Sequence, residues 1–170
     1  MTTEPGKRVQ FEALVEPCKQ RLWTFLLRLV QDRGRAEDLF QETLLRAWRG
    51  LPSYRDRGRF LSWLFRIAHN VVRDDTRRMA TRPQLVVPQE LPEVADASSA
   101  DDLVTAGERR RRVSRCLSAL TYEQREVFLL RLHSDLTFGA VAELTGAPLS
   151  TVINRMRDAL AKLTEAMEND

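Results

Sequence analysis

The sequence predicts an all-α fold of two small helical bundles joined by an extended acidic linker, and three observations predict it. Apolar residues recur at helical spacing from Gln10 to about Met79 and again from Gly107 onward, with no strand-like alternation and no internal repeat. Between these stretches, residues 81–106 hold Pro83, Pro88 and Pro92 and then a small acidic run, a composition that favours extended chain over packed structure. Charge changes sign along the chain: residues 1–80 carry 16 basic and 10 acidic groups, residues 81–107 carry 1 and 5, and residues 108–170 carry 10 and 9. A basic first segment, an acidic connector and a mixed last segment imply two modules with different surfaces. The expected boundaries are an N-terminal tail at 1–9, a first module at 10–80, the linker at 81–106 and a second module at 107–170.

The chain has 170 residues, of which 43% are hydrophobic and 30% charged. That suffices for one ordinary domain or two small ones, and excludes a large catalytic barrel. No run approaches the roughly 18 apolar residues of a membrane span, and the start MTTEPGKR has no apolar secretory core, so a cytoplasmic protein without membrane insertion is expected. Cys18 and Cys116 are far apart in apolar settings and read as core thiols, not as a disulfide or metal framework. Only Lys7, Lys19 and Lys162 are lysines among the 27 basic residues. Arginine's planar fork suits phosphates and base edges, although arginine-rich codon usage gives the same composition.

Three helices are expected in the first module, with breaks near Asp32 to Arg35 and across Leu51 to Gly58. On the helix from about Arg35 to Gly50, Phe40, Leu44, Ala47 and Leu51 form the core stripe. The opposite face carries Asp38, Glu42, Leu45 and Arg49, with Gln41 beside them. A leucine among charges fits a partner-contact face, and equally a lone exposed leucine. The next helix, about Arg59 to Met79, is apolar along Phe60, Leu64, Ile67 and Val71 and again along Leu61, Phe65, Ala68 and Val72. Its remaining stripe is Ser62, Arg66, His69, Arg73 and Arg77, with Asn70 at the margin, and a loop with Tyr54, Arg55 and Arg57 precedes it. Arginines beside an aromatic loop can hold a nucleic-acid backbone and stack an unpaired base. Trp48 and Trp63 read as core, and Asp74 is expected to pair with Arg77 or Arg78.

In the second module, Thr121 and Gln124 form a capping box that opens a helix. Residues 137–163 then read as a short helix, a turn at Gly146 and a longer helix after Pro148, the spacing of a DNA-reading helix-turn-helix. At about 100° per residue, Val152, Met156, Ala159, Leu160 and Leu163 share the face expected to point inward. The opposite face presents Ser150, Asn154, Arg157 and Ala161, flanked by Thr151 and Arg155. Asparagine and arginine there can form paired hydrogen bonds to adenine and guanine edges, or the face is simply solvated.

AEDLFQETLLRAW (36–48), SWLFRIAHNVVRDDTRR (62–78) and LTYEQREVFLLR (120–131), in that order before a helix-turn-helix, resemble a bacterial extracytoplasmic-function (group IV) sigma factor of the sigma-70 family. The resemblance covers nearly everything but the tail and linker. It implies that the first module is region 2, which binds the clamp helices of the polymerase β′ subunit and opens the −10 element. It implies that the second is region 4, which binds the β flap and reads the −35 element. Asp38, Gln41, Glu42 and Leu45 then resemble the polymerase-docking face. The loop with Tyr54, Arg55 and Arg57, together with Ser62, Arg66, His69, Asn70, Arg73 and Arg77, resembles the −10 strand site. Ser150, Thr151, Asn154, Arg155 and Arg157 resemble the −35 reader. The acidic linker resembles the segment threaded through the polymerase channels, and an anti-sigma factor is a further implied partner.

The chain departs from the family pattern in three places. Ala140 stands where a glutamate commonly completes a capping box with the residue at Thr137, and Ile153 and Asp158 stand where basic residues are common. A carboxylate facing phosphate predicts weaker −35 affinity or a different base preference. Those two residues also keep open a second reading, a sigma-like decoy that binds an anti-sigma factor without productive DNA binding. An autonomous helix-turn-helix repressor would leave the docking face and the linker unexplained. No catalytic constellation, cofactor motif or metal site is visible: His69 and His133 are isolated, and Asp74 and Asp75 point in different directions on a helix.

Overall fold

The computed structural model describes residues 4–55, 58–80, 108 and 111–168, and every described element is helical. The linker 81–106 and Arg57 lie outside the described residues. The elements are α1 (Glu4–Val15), α2 (Lys19–Val30), α3 (Arg33–Gly50), α4 (Phe60–Ala80), α5 (111–118), α6 (Tyr122–His133), α7 (Phe138–Thr145) and α8 (Leu149–Glu168). Two differences from expectation fall at the N-terminus. The region expected as a tail is helical from Glu4, because Phe11 rests edge-on against Trp48 at 5.3 Å between ring centres. The first module also has an extra break, a 3₁₀ turn at Glu16–Cys18, where Pro17 has no N–H to continue an α-helix.

Local signals set the remaining boundaries. Helix α2 stops at Gln31, whose backbone is left-handed (φ 55°) and whose N–H still reaches Leu27 O at 2.9 Å. Asp32 then caps α3 by accepting from Arg35 N at 2.7 Å. The capping box expected at α6 is present in both directions, Gln124 N to Thr121 Oγ1 at 3.3 Å and Thr121 N to Gln124 Oε1 at 3.2 Å.

Helix α2 lies at the centre. Leu22, Phe25, Leu26, Leu27 and Leu29 are all buried, and the helix packs against α3 and α4 on the one hand and α6 on the other. The buried face of α4 is Phe60, Leu64, Phe65, Ala68, Val71 and Val72, as the two-sided apolar pattern predicts. On α3 the buried line is Ala36, Leu39, Thr43 and Ala47, with Phe40 and Leu44 only half-buried beside it. Thr43 is tolerated there because its hydroxyl donates to Leu39 O at 2.7 Å. One apolar cluster runs through both modules, from Val15 to Ala159. Cys18 and Cys116 are both buried and reduced, and burial pushes the Cys18 thiol up, which keeps it protonated.

His133 ends α6 where the second module meets α2. Burial, and then the nearby Arg28 and Arg21, push its pKa from the ordinary 6.5 down to about 4. Above pH 6.5 the imidazole is neutral whether the chain is folded or unfolded. Below it, unfolded chains take up a proton that folded ones refuse until about pH 4, so this group removes stability progressively across that window. Thermal midpoints measured from pH 6.5 down to pH 4 should therefore fall less steeply for His133→Gln than for the parent. Parallel curves for the two proteins would show that His133 carries no such linkage.

Candidate functional site

Three surfaces carry the residues singled out by sequence. The first is the outer face of α3. Asp38 and Gln41 are exposed, Glu42 is half-exposed and Leu45 is 43% exposed despite being apolar. Arg46 anchors this face: its guanidinium lies 2.7 Å from Glu42 one turn earlier and 2.7 Å from Asp74 on α4. Asp74 reaches across to α3, and the Arg46 guanidinium, with Arg73 and Arg78 of its own helix adding to it, holds its carboxyl below the usual carboxylate range. Arg35 makes a parallel tie, with Nε 2.6 Å from Asp75 and Nη2 3.3 Å from Thr76. Between the two helices lies a shallow depression of about 250 Å³ lined by Asp38, Glu42, Arg46, Asp75 and Arg78. The result is an acidic rim held rigid by its own arginines, with one leucine standing proud.

The second surface is the loop after α3 and the polar stripe of α4. Pro52 sits in a 3₁₀ turn at Leu51–Ser53, and Ser53 Oγ donates back to Gly50 O at 2.8 Å. Tyr54 is not held out into solvent. Its ring packs 5.5 Å from Phe60 and 4.8 Å from Trp63, while Trp63 closes over Gly50, where an added Cβ would approach it to 3.2 Å. Arg55 is exposed. Along α4, Asn70, Arg73 and Arg77 are exposed as the periodicity predicts. Ser62, Arg66 and His69 differ, because the second module is packed on them. Ser62 Oγ donates to Ser134 O at 3.1 Å, and Arg66 lies 3.9 Å from Glu143. His69, expected on an open stripe, is only 4% exposed, with Nε2 3.2 Å from Glu126 Oε1.

The third surface is the helix-turn-helix, α7 and α8. Thr137 still caps α7, accepting from Ala140 N at 3.1 Å, so the missing glutamate costs only the return half of the box. Gly146 turns the chain with φ 70°. Pro148 supplies the carbonyl that Val152 N reaches at 3.0 Å, starting α8. Val152 and Ala159 are buried, and Met156 and Leu163 pack beside them. Leu160, expected inside, is 47% exposed, in line with exposed Leu149, Ile153 and Met167. The bundle is too narrow to cover an apolar arc of that width. Ser150, Asn154 and Arg157 are exposed, whereas Thr151 and Arg155 are half-buried at the flanks. Arg157 lies 3.6 Å from Asp158, so part of its charge is already answered within the helix.

Among the described residues no group of histidine, cysteine and carboxylate side chains could hold a metal ion, and no helix is long and apolar enough to cross a membrane. Residues 14–82 match the family model Sigma-70 region 2, and residues 110–163 match Sigma-70, region 4. The ECF RNA polymerase sigma factor SigK of Mycobacterium tuberculosis is 34% identical over 160 residues, covering 93% of this chain and 86% of that one. The chain belongs to the extracytoplasmic-function sigma factors. SigK of Mycobacterium ulcerans is 32% identical over 96% of the chain. The fold matches the sigma factor RpoE solved with the anti-sigma factor NepR from Bartonella quintana, with a TM-score of 0.75 and 23% identity over 95% of this chain and 98% of that one. It also matches CnrH solved with the cytosolic domain of CnrY, at a TM-score of 0.63 and 23% identity. As a sigma factor, the protein binds core RNA polymerase and directs promoter-specific transcription initiation.

Sequence reasoning missed the residues by which the sigma factor's two modules touch: Arg21, Glu126, Ser134, Asp135 and Glu143. Glu126 alone gave a local hint, as a carboxylate inside the apolar run of α6. Gly146 tests the turn between α7 and α8. An added Cβ there meets nothing within 4 Å, so Gly146→Ala isolates the cost of a left-handed backbone, about 1–2 kcal/mol. Gly146→Asn should recover part of that loss, because asparagine tolerates this conformation. Equal denaturant midpoints for all three proteins would remove the strained turn as a constraint on the sigma factor's helix-turn-helix.

Proposed function

We propose that the exposed face of α3, with Asp38, Gln41, Glu42 and Leu45, docks on the clamp helices of the polymerase β′ subunit. The observation that carries this is the geometry of that face: an acidic rim braced by Arg46 and Arg35, with a 43% exposed leucine set within it. Braced carboxylates lose little side-chain entropy on meeting a basic partner, and the leucine supplies apolar contact at the centre. The second module is assigned to the β flap and the −35 element. Tyr54, Arg55, Arg57, Ser62, Arg66, His69, Asn70, Arg73 and Arg77 are assigned to the −10 non-template strand, for which the exposed arginines of α4 supply the backbone charge. Ser150, Thr151, Asn154, Arg155 and Arg157 are assigned to the −35 duplex. Asp158 lies 3.6 Å from Arg157 on that face, and the polymerase tether adds to the affinity for duplex by raising the effective concentration of the helix. One structural neighbour is the sigma factor RpoE solved with the anti-sigma factor NepR, which supports an anti-sigma factor as a further partner of this chain.

Size-exclusion chromatography with core polymerase tests the docking face. Asp38→Arg with Gln41→Ala should abolish the complex while leaving the circular-dichroism spectrum unchanged, and a retained complex would sink the assignment. Asn154→Ala with Arg157→Ala should weaken −35-dependent transcription without changing core binding. An unchanged promoter footprint for that pair would remove the face from the −35 site.

A further inference from the structure

The first two turns of α8 carry apolar side chains that the fold leaves uncovered. Leu149 is 49% exposed and Ile153, one turn on, is 46% exposed, whereas Val152 between them is buried in the bundle. At about 100° per residue, Ile153 lies about 40° round the helix from Arg157 and about 60° from Ser150. Leu149 and Ile153 therefore form an apolar edge on the exposed arc of Ser150, Asn154 and Arg157. A recognition helix meets base edges with its first turns, so the exposed Leu160 and Met167, about two and four turns beyond Ile153, fall outside that zone. A surface that mixes these residue types selects its occupant. An apolar protein partner would strip water from Ser150, Asn154 and Arg157 without replacing their hydrogen bonds, which is costly. The floor of the DNA major groove offers both kinds of contact side by side: donors and acceptors on the base edges, and the C5-methyl group of thymine.

We infer that Ile153, with Leu149 beside it, reads thymine: its side chain packs on the C5-methyl group of a thymine adjoining the base that Asn154 contacts, and so sets base preference within the −35 element. This inference rests on the assignment of the α8 face to the −35 duplex. The chemistry of Ile153 separates its role from those of its neighbours. It has no charge and no donor or acceptor, so it adds nothing to the attraction for phosphate and acts on base identity alone. Discrimination works in both directions. Against thymine the side chain and the methyl group leave water together, while against the amino group of cytosine or the N7 of a purine it covers a polar edge atom and returns no hydrogen bond. The gain is that of one methyl-sized group removed from water, about fourfold in affinity.

The test uses holoenzyme reconstituted from core polymerase and the full chain. Selection from a promoter pool randomised in both elements gives the preferred −35 sequence of the parent, of Ile153→Ala and of Ile153→Val. The parent's selected promoter is then remade with each −35 thymine replaced singly by deoxyuridine, which keeps every hydrogen bond and deletes only the methyl group. At one position the replacement should weaken binding of the parent holoenzyme by about fourfold in a competition band shift. The penalty should shrink for Ile153→Val and vanish for Ile153→Ala, a coupling between side chain and methyl group that a purely structural role for Ile153 would not produce. Size exclusion with core polymerase checks that each variant is folded, and Ile153→Val, the milder change, carries the comparison if the alanine chain is not. An equal uracil penalty in all three proteins overturns the inference, and so does a selected −35 element without thymine. Asn154→Ala with Arg157→Ala separates this failure from a failure of the underlying assignment. If that pair shifts the selected −35 sequence while the uracil penalty is independent of residue 153, the face is right and the thymine contact is wrong. If neither that pair nor Ile153→Ala shifts the selection, the −35 assignment of α8 falls, and the inference with it.

Discussion

Helix α2 is apolar on more of its circumference than one neighbour can cover, and the rest of the structure depends on how that surface is buried. Its inward side, with Leu22, Phe25 and Leu26 all 0% exposed, belongs to the bundle with α3 and α4. Helix α6 of the second module completes the burial, bringing Val127, Leu129 and Leu130, which are also 0% exposed. Each fully buried side chain of this size contributes about 1.5–3 kcal/mol relative to exposure. A chain cut into two independent bundles would leave part of that surface in water. The modules therefore form a continuous core, and any state in which they part must offset the apolar area it uncovers with new contacts.

Polar groups decide where on α2 and α4 the second module sits. Apolar packing is non-directional and would accept several registers of α6. The His69–Glu126 pair accepts one, because moving either group by a turn strands a polar atom in a dry interface. Such a pair contributes little net stability once both groups are desolvated, and a great deal of positional selectivity. The exposed Arg21–Asp135 and Arg66–Glu143 contacts at the margins are weak individually, as surface pairs are. An interface of this kind takes its register from the polar pair and most of its free energy from the apolar area beneath it.

Most of the fold was legible in the sequence, because its helices are set by local signals. The capping box at Thr121, the break at Asp32, the glycine turn at Gly146 and the two-sided apolar pattern of α4 all appear where spacing places them. What was not legible depends on residues far apart in the chain. Asp74 has basic residues within a turn on its own helix, and its hydrogen bond with Arg46, 28 positions away, is added by the packing of α3 on α4. His69 belongs by periodicity to an open stripe, and only the docking of α6 buries it. Leu160 fits an inward face by angle, yet the helix-turn-helix has too few partners to cover it. The exposed face of α3 was the most readable part of the surface, since an uncovered leucine needs no distant partner to be seen.

On the proposed assignments, promoter DNA is read by two surfaces whose cations are each tempered by neighbouring groups. The α8 face offers Asn154 and Arg157, but Asp158 sits 3.6 Å from the arginine, and Ile153 adds apolar rather than cationic surface. The α4 stripe has its cations, but the docked second module occupies half its length. On those assignments, a division of the readers between two surfaces is a selective advantage. A sigma factor that bound DNA firmly without polymerase would occupy promoters it could not open. Coupling both readers to one scaffold raises the effective concentration of each for its element only after the scaffold holds them at the right separation. On the proposed assignments the two readers then become parts of a single device, in which polymerase binding is the step that brings them to their elements together.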